Sequence, residues 1–219
     1  MFGALSLGGA IVSILASTLA GPSATSPVLV DPPPDKVVID LVTVNGSGCP
    51  EGTAAVAVSP DNTAFTVTYS AYLAQVGLGA APTDWRKNCQ LNVIVHVPSG
   101  YTYAIASTDY RGFAALQKGA TGLQKAGYYF QGSPMTDFFE HSFPGPLMDN
   151  WAATDVTEIN DLVWAPCGAL RNFNINTELQ VQKGTSNVTT ANSSIAMDST
   201  DLELSTTYHF AWQECPPRG

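Results

Sequence analysis

The chain has 219 residues, with 9 basic against 18 acidic side chains, a formal net charge of −9 and acidic groups scattered without runs. Such a surface repels phosphate backbones and anionic lipid, which argues against nucleic-acid and membrane-surface roles. None of the cysteines Cys49, Cys89, Cys167 and Cys215 stands in a C-x-x-C pair, so zinc ligation and thioredoxin-like chemistry are disfavoured and neither metal nor cofactor is expected.

In chain order, the first charged side chain is Asp31, preceded by an apolar run from Ala10 to Ala20. That run is diluted by Ser and Thr and falls short of the roughly 20 apolar residues of a spanning helix. Residues 1–20 therefore read as a signal peptide with small residues at a cleavage point after Ala20. The missing Lys or Arg ahead of the run leaves an uncleaved anchor as the competing reading. Residues 21–35, rich in Pro, Ser and Thr and ending in Pro32-Pro33-Pro34, read as a stiff spacer. Residues 36–219 are left as a single domain, large enough to bury its own core and expected to be a monomer. The C-terminal Pro216-Pro217-Arg218-Gly219 carries no hydrophobic tail of the kind a lipid anchor requires.

From Lys36 onward the apolar period is two. Val37, Ile39 and Leu41 alternate with polar residues, as do Phe65, Val67 and Tyr69; Leu91, Val93, Val95 and Val97; Phe173, Ile175, Thr177, Leu179 and Val181; and Tyr208, Phe210 and Trp212. Gly46-Ser47-Gly48, Ser59-Pro60-Asp61-Asn62 and Pro98-Ser99-Gly100 supply turn chemistry between them. The expected fold is all-β, an antiparallel two-sheet sandwich or jelly roll, with helix limited to a turn or two near Ala114 to Lys125. The stretch from Gly132 to Asp161, with Phe138, Phe139, Phe143, Trp151 and Pro144-Gly145-Pro146, is the least regular. It is read as a binding excursion or as a flap sealing one edge of the core.

In an exported chain four cysteines imply two disulfides, and three pairings are open. The expectation adopted is the sequence-local one, Cys49 with Cys89 and Cys167 with Cys215. Asn45, Asn187 and Asn192 each begin a glycosylation sequon.

Three polar constellations carry candidate chemistry. Asn174, Asn176, Glu178, Gln180 and Gln182 alternate with apolar residues and so share one strand face. Carboxamides around a carboxylate suit sugar hydroxyls or peptide groups, and a Glu with a Gln suits acid peptide hydrolysis of the glutamic-peptidase type. Any solvent-facing strand also alternates in this way. Asp109 and Arg111 follow the strand Tyr101 to Ile105. Unbroken parity would put them on the side of Tyr103, Ile105 and Phe113, so either a bulge turns the chain or two charges are buried, and Arg111 is expected to organise the fold. Met197-Asp198-Ser199-Thr200-Asp201 faintly resembles a calcium loop but lacks the spacing of an EF-hand and is better read as a turn. Neither G-x-S-x-G nor H-E-x-x-H occurs. Among the aromatics, Trp164 and Trp212 read as core, whereas Trp151 and Trp85, flanked by polar residues, are candidate exposed platforms.

Lys87 to Asn92, Asp109 to Gly112, Val163 to Gly168, Asn174 to Leu179 and Met197 to Asp201 together resemble a family of small secreted proteins of fungi and bacteria, domain of unknown function 4360. The resemblance covers nearly all of the mature chain. It implies secretion and two disulfides, and it brings no activity, catalytic residue or ligand.

The expectation is thus an extracellular, non-enzymatic module that binds a glycan or cell-wall surface, with Asp109, Arg111, Trp151, Asn174, Asn176 and Glu178 as binding candidates. The alternatives are an acid hydrolase built on Glu178, or an effector or inhibitor that binds a surface protein.

Overall fold

Alternating side chains put one row into an interior and the other outside, which is the geometry of a half-buried strand. Each of the five expected alternations coincides with one. The computed structural model describes residues 28–133, 138–197 and 205–217. Its strands are β1 (Val38–Asn45), β2 (Ala54–Val58), β3 (Ala64–Tyr69), β4 (Leu73–Gly77), β5 (Arg86–His96), β6 (Tyr101–Leu116), β7 (Thr121–Phe130), β8 (Phe139–Pro144), β9 (Leu147–Val156), β10 (Asn172–Gln182), β11 (Asn192–Ala196) and β12 (Ser205–Glu214). One 3-10 turn, Ile159–Asp161, follows β9.

Every strand pair is antiparallel. A five-stranded sheet runs β1-β5-β10-β7-β8, and a seven-stranded sheet runs β2-β3-β12-β6-β11-β4 with β9 also on β6. Because Thr108 faces both Tyr208 and Asp155, β12 and β9 must lie on opposite edges of β6. The two inner faces interlock through aromatic rings: Tyr103 meets Phe130 at 5.4 Å and Tyr128 meets Tyr208 at 6.5 Å. Leu91, Val93, Phe173, Ile175 and Leu179 fill the core from one sheet, and Phe65, Val67, Tyr110, Tyr208 and Trp212 from the other. Burying each such side chain is worth roughly 1.5–3 kcal/mol against leaving it exposed.

The disulfides are Cys49–Cys89 and Cys167–Cys215. The first is buried between the β1–β2 connection and β5. The second is more open and ties the loop before β10 to the end of β12. Separations of 40 and 48 residues correspond to about 4 kcal/mol each in the chain-entropy account.

Three local features differ from, or decide between, the expectations. The helical turn expected near Ala114 to Lys125 is absent: these residues finish β6, turn through Gln117–Ala120 (Ala120 N to Gln117 O, 3.0 Å) and begin β7. Cross-strand partners on β9 and β10 decide it. The stretch from Gly132 to Asp161 is more regular than expected, because β8 and β9 form most of it. β8 extends one sheet through β7 and β9 extends the other through β6, so the chain crosses between the sheets here and closes one side of the sandwich, as a flap sealing one edge would. In β6 the register slips against β12 between Ser107 and Ile105. The extra residue, Ala106, moves burial from Tyr103 and Ile105 to Thr108, Tyr110 and Ala114. The bulge, not burial of charge, therefore resolves the parity of Asp109 and Arg111, and both reach the outer surface.

The end of the stretch read as a spacer rests against the domain. Val30 N donates to Trp212 O at 3.0 Å, and Asn62 Nδ2 donates to the carbonyls of Pro33 and Asp35, each at 2.9 Å.

Candidate functional site

The inner residues of β10 are buried, so Asn174, Asn176, Glu178, Gln180 and Gln182 must face outward. β10 is the central strand of its sheet, which sets these side chains in the middle of a broad face rather than at an edge. Strand β5 repeats the pattern: Asn88, Gln90 and Asn92 point outward between buried Cys89, Leu91 and Val93. Register aligns the two ladders, with Asn174 opposite Asn92, Asn176 opposite Gln90 and Glu178 opposite Asn88. On the other flank, β7 places Tyr129, Gly127 and Lys125 beside Asn174, Asn176 and Glu178.

The rows differ in what they leave available. Asn92 Nδ2 donates to Asn174 Oδ1 at 2.8 Å, and Ser47 Oγ donates to Asn88 Oδ1 at 3.1 Å. Glu178 takes the Arg86 guanidinium on one oxygen and the Gln180 amide on the other. Between these tied rows, Asn176 and Gln90 carry no side-chain hydrogen bond among the described residues. Gly127 completes their row, and a Cβ there would stand 3.0 Å from Phe138 Cδ1. The missing side chain lets the Phe138 ring, 62% exposed, lie against the sheet. Two free carboxamides thus sit beside an exposed aromatic ring, with Tyr129 half-buried one row away.

The remaining candidates lie elsewhere. Asp109 and Arg111 are on the outer face of the seven-stranded sheet, with Ser205, Thr207 and His209 around a dent of about 320 Å³. Asp109 Oδ1 accepts from Thr154 Oγ1 at 2.6 Å, and Asp109 Oδ2 meets His209 Nε2 at 2.8 Å. The Thr154 hydroxyl, more than any other group, holds the Asp109 carboxyl below its ordinary range. Arg111 is exposed rather than locked into a corner. Trp151 is no platform: it is 5% exposed, its ring 4.8 Å from Phe143, over Gly112, where a Cβ would come within 2.3 Å of the indole. Trp85 is 44% exposed and walls a cleft of about 530 Å³ with Gln75, Pro82, Val181, Lys183 and Val188. Trp212 is core, and Trp164 is half-buried.

Asn45 is exposed at the end of β1, in the same cross-sheet row as Gln90 and Asn176. Asn187 is exposed in a turn, its Oδ1 held by Thr189. Asn192 Nδ2 donates to Gln75 Oε1 at 3.2 Å and Leu78 O at 3.1 Å, so a glycan on that nitrogen would displace at least one of these bonds. No group of three or more His, Cys, Asp or Glu side chains among the described residues is placed to hold a metal. Asp198 to Asp201 lie outside the described residues.

Sequence reading missed Gln90, Asn92, Tyr129 and Phe138 as members of one face. The signal for Gln90 and Asn92 was present, since Asn88, Gln90 and Asn92 alternate against Cys89, Leu91 and Val93 much as the β10 ladder does. Phe138 stood in the stretch read as a binding excursion or a flap, but only the fold sets it over Gly127.

A family model described as domain of unknown function (DUF4360) matches residues 35–215. A protein of Arthroderma benhamiae, described as an uncharacterized secreted protein, is 37% identical over 184 residues, covering 84% of this chain and 74% of the relative. Among solved structures, TmCBM61 in complex with β-1,4-galactotriose aligns at TM-score 0.31 and 12% identity over 79% of this chain and 88% of that one. The enzymatically active domain of bacteriophage CBA120 tailspike protein 4 aligns at TM-score 0.25 and 14% identity, over 79% of this chain and 19% of that one. No helix among the described residues is long and apolar enough to cross a membrane.

Proposed function

The chain belongs to the DUF4360 family of secreted proteins, and from that premise we propose that it is an extracellular module that binds polysaccharide through the outer face of its five-stranded sheet. The observation that carries the reading is the row Phe138, Gly127, Asn176 and Gln90, where an exposed ring meets two uncommitted carboxamides. A sugar presents hydroxyls at its rim and C–H groups on its faces. Carboxamides both donate to and accept from hydroxyls, while an aromatic face takes apolar surface out of water. Neither the Asp109 dent nor buried Trp151 offers that combination.

Pull-downs on insoluble chitin, β-glucan and mannan, across acid to neutral pH, test it. The protein is expected to be retained on at least one of them. Asn176→Ala and Phe138→Ala should each weaken retention about tenfold, a loss of about 1.4 kcal/mol, with the thermal melting point unchanged. Retention on none of the three, or full retention by both variants, rejects the reading.

One observation favours an acid hydrolase instead: the Gln180 amide lies against the Glu178 carboxylate. Against it, Arg86 occupies the other oxygen. If Glu178→Gln leaves peptide hydrolysis at acid pH unchanged, that alternative fails.

A further inference from the structure

Resting on the polysaccharide reading and narrowing it, we propose that the ligand is an uncharged polysaccharide chain that runs along β10 and ends on the indole of Trp85.

The charge pattern of the face sets the first half. Charged groups on this sheet are matched across strands: Arg86 with Glu178, Lys125 with Glu140 at 2.6 Å, and His96 with Asp40 at 2.8 Å. At the Trp85 end, Lys87 Nζ pairs with Asp84 Oδ1 at 2.9 Å. A sugar acid lying here would find its cations already engaged, and a cationic amino sugar would find its carboxylates engaged. Lys183, at the rim of the cleft, and Arg171, just before β10, are exceptions: neither has a carboxylate partner among the described residues. They stand against a chain total of −9, which repels a polyanion at long range. What the face offers in number is neutral: Asn174, Asn176, Gln180, Gln90 and Asn92.

The length of the ladder sets the second half. Outward residues of a strand recur every two positions, so Asn174 to Gln182 spans about 27 Å, several sugar rings long. Gln182 ends the ladder and also lines the Trp85 cleft, while Val181 N donates to Trp85 O at 2.8 Å. The cleft therefore adjoins the end of the ladder and opens around it toward Gln75, Val76 and Gly77 of β4 in the other sheet, so a chain that leaves the ladder turns over the end of β10 to stack on the exposed indole.

Calorimetric titration with neutral oligosaccharides of increasing length, cut from chitin, β-glucan and mannan, tests both halves beside polygalacturonate as the anionic probe. Affinity for the neutral series should rise with chain length and stay unchanged when salt is raised. Trp85→Ala should lose about tenfold for the longest chains and nothing for the shortest that bind, with Trp85→Phe recovering part of the loss. Tighter binding of polygalacturonate, released by salt as exposed charge contacts are, overturns the inference, as does a Trp85→Ala protein with full affinity for long chains. Both outcomes leave polysaccharide binding intact, whereas no binding of any sugar by the correctly folded protein overturns the parent reading.

Discussion

Asn62 is the one non-glycine residue among those described with positive φ, at 57°, in the turn before β3. Its side chain makes three hydrogen bonds to one stretch of backbone, residues 33–37: Nδ2 donates to Pro33 O and Asp35 O, and Oδ1 accepts from Val37 N at 3.2 Å. Its own carbonyl accepts from Trp212 Nε1 at 3.0 Å. Asn tolerates this backbone region better than other chiral residues. Asn62→Ala is therefore expected to lower stability by about 2–4 kcal/mol, from three lost bonds of about 1 kcal/mol each and the poorer backbone fit. Asn62→Gly keeps the conformation but not the bonds, so it should fall between wild type and alanine in a urea denaturation series. Equal stability of all three proteins would refute the assignment. The turn itself was legible in Ser59-Pro60-Asp61-Asn62, but the anchoring was not, because its acceptors lie 27 and 29 residues away. Trp151 failed as a sequence-based platform for a similar reason. Polar neighbours suggested exposure, while Gly112, 39 positions earlier on a different strand, clears the space that buries it.

β8 and β9, consecutive in the chain, lie at the edges of different sheets, so their inward residues link the two sheets. His141 on β8 meets Asp155 on β9 at 2.9 Å, and Asp155 is 6% exposed among Tyr110, Tyr128 and Thr108. Burial lifts the Asp155 carboxyl above its ordinary 3.8, although Tyr110 and His141 pull the other way. A carboxyl raised on folding contributes stability that is complete below its unfolded value, near 3.9, and is lost as pH climbs through the folded value. Each unit of displacement is worth about 1.4 kcal/mol. Asp109, lowered on folding, has the opposite sign, and its contribution is lost only as pH falls below the ordinary carboxylate range. Between mildly acidic and neutral pH, Asp155 should therefore make the wild-type denaturation midpoint higher on the acid side. Asp155→Asn should flatten that slope, and an Asp155→Asn protein with the wild-type slope would contradict the assignment. These two strands were poorly legible because Phe138-Phe139 and Pro144-Gly145-Pro146 mask a period of two. It emerges only when Phe139, His141 and Phe143 are set against Trp151, Ala153 and Asp155.

At the scale of the whole molecule, the two polar constellations that stand out in the sequence are back to back. Asp109 and Arg111 face outward from the seven-stranded sheet and Asn174, Asn176 and Glu178 from the five-stranded one, with the aromatic core between them. The alternations that made the sandwich legible gave each residue's side of its strand, but not which sheet the strand joins. That is decided by long-range pairing, such as β10 inserting between β5 and β7. The separation makes the faces independently testable. Asp109→Asn with Arg111→Gln alters charge and hydrogen bonding only on the seven-stranded face, and should leave retention on polysaccharide at the wild-type level. Asn174→Ala with Asn176→Ala removes carboxamides from two adjacent rows of the five-stranded face and should reduce it at least tenfold, about 1.4 kcal/mol or more. Sites this far apart with no shared partner combine additively, so the quadruple variant should bind like the Asn174/Asn176 double variant. A loss confined to the Asp109/Arg111 protein would move the site to the other sheet, and a loss in both beyond additivity would mean that the ligand wraps the edge sealed by β8 and β9.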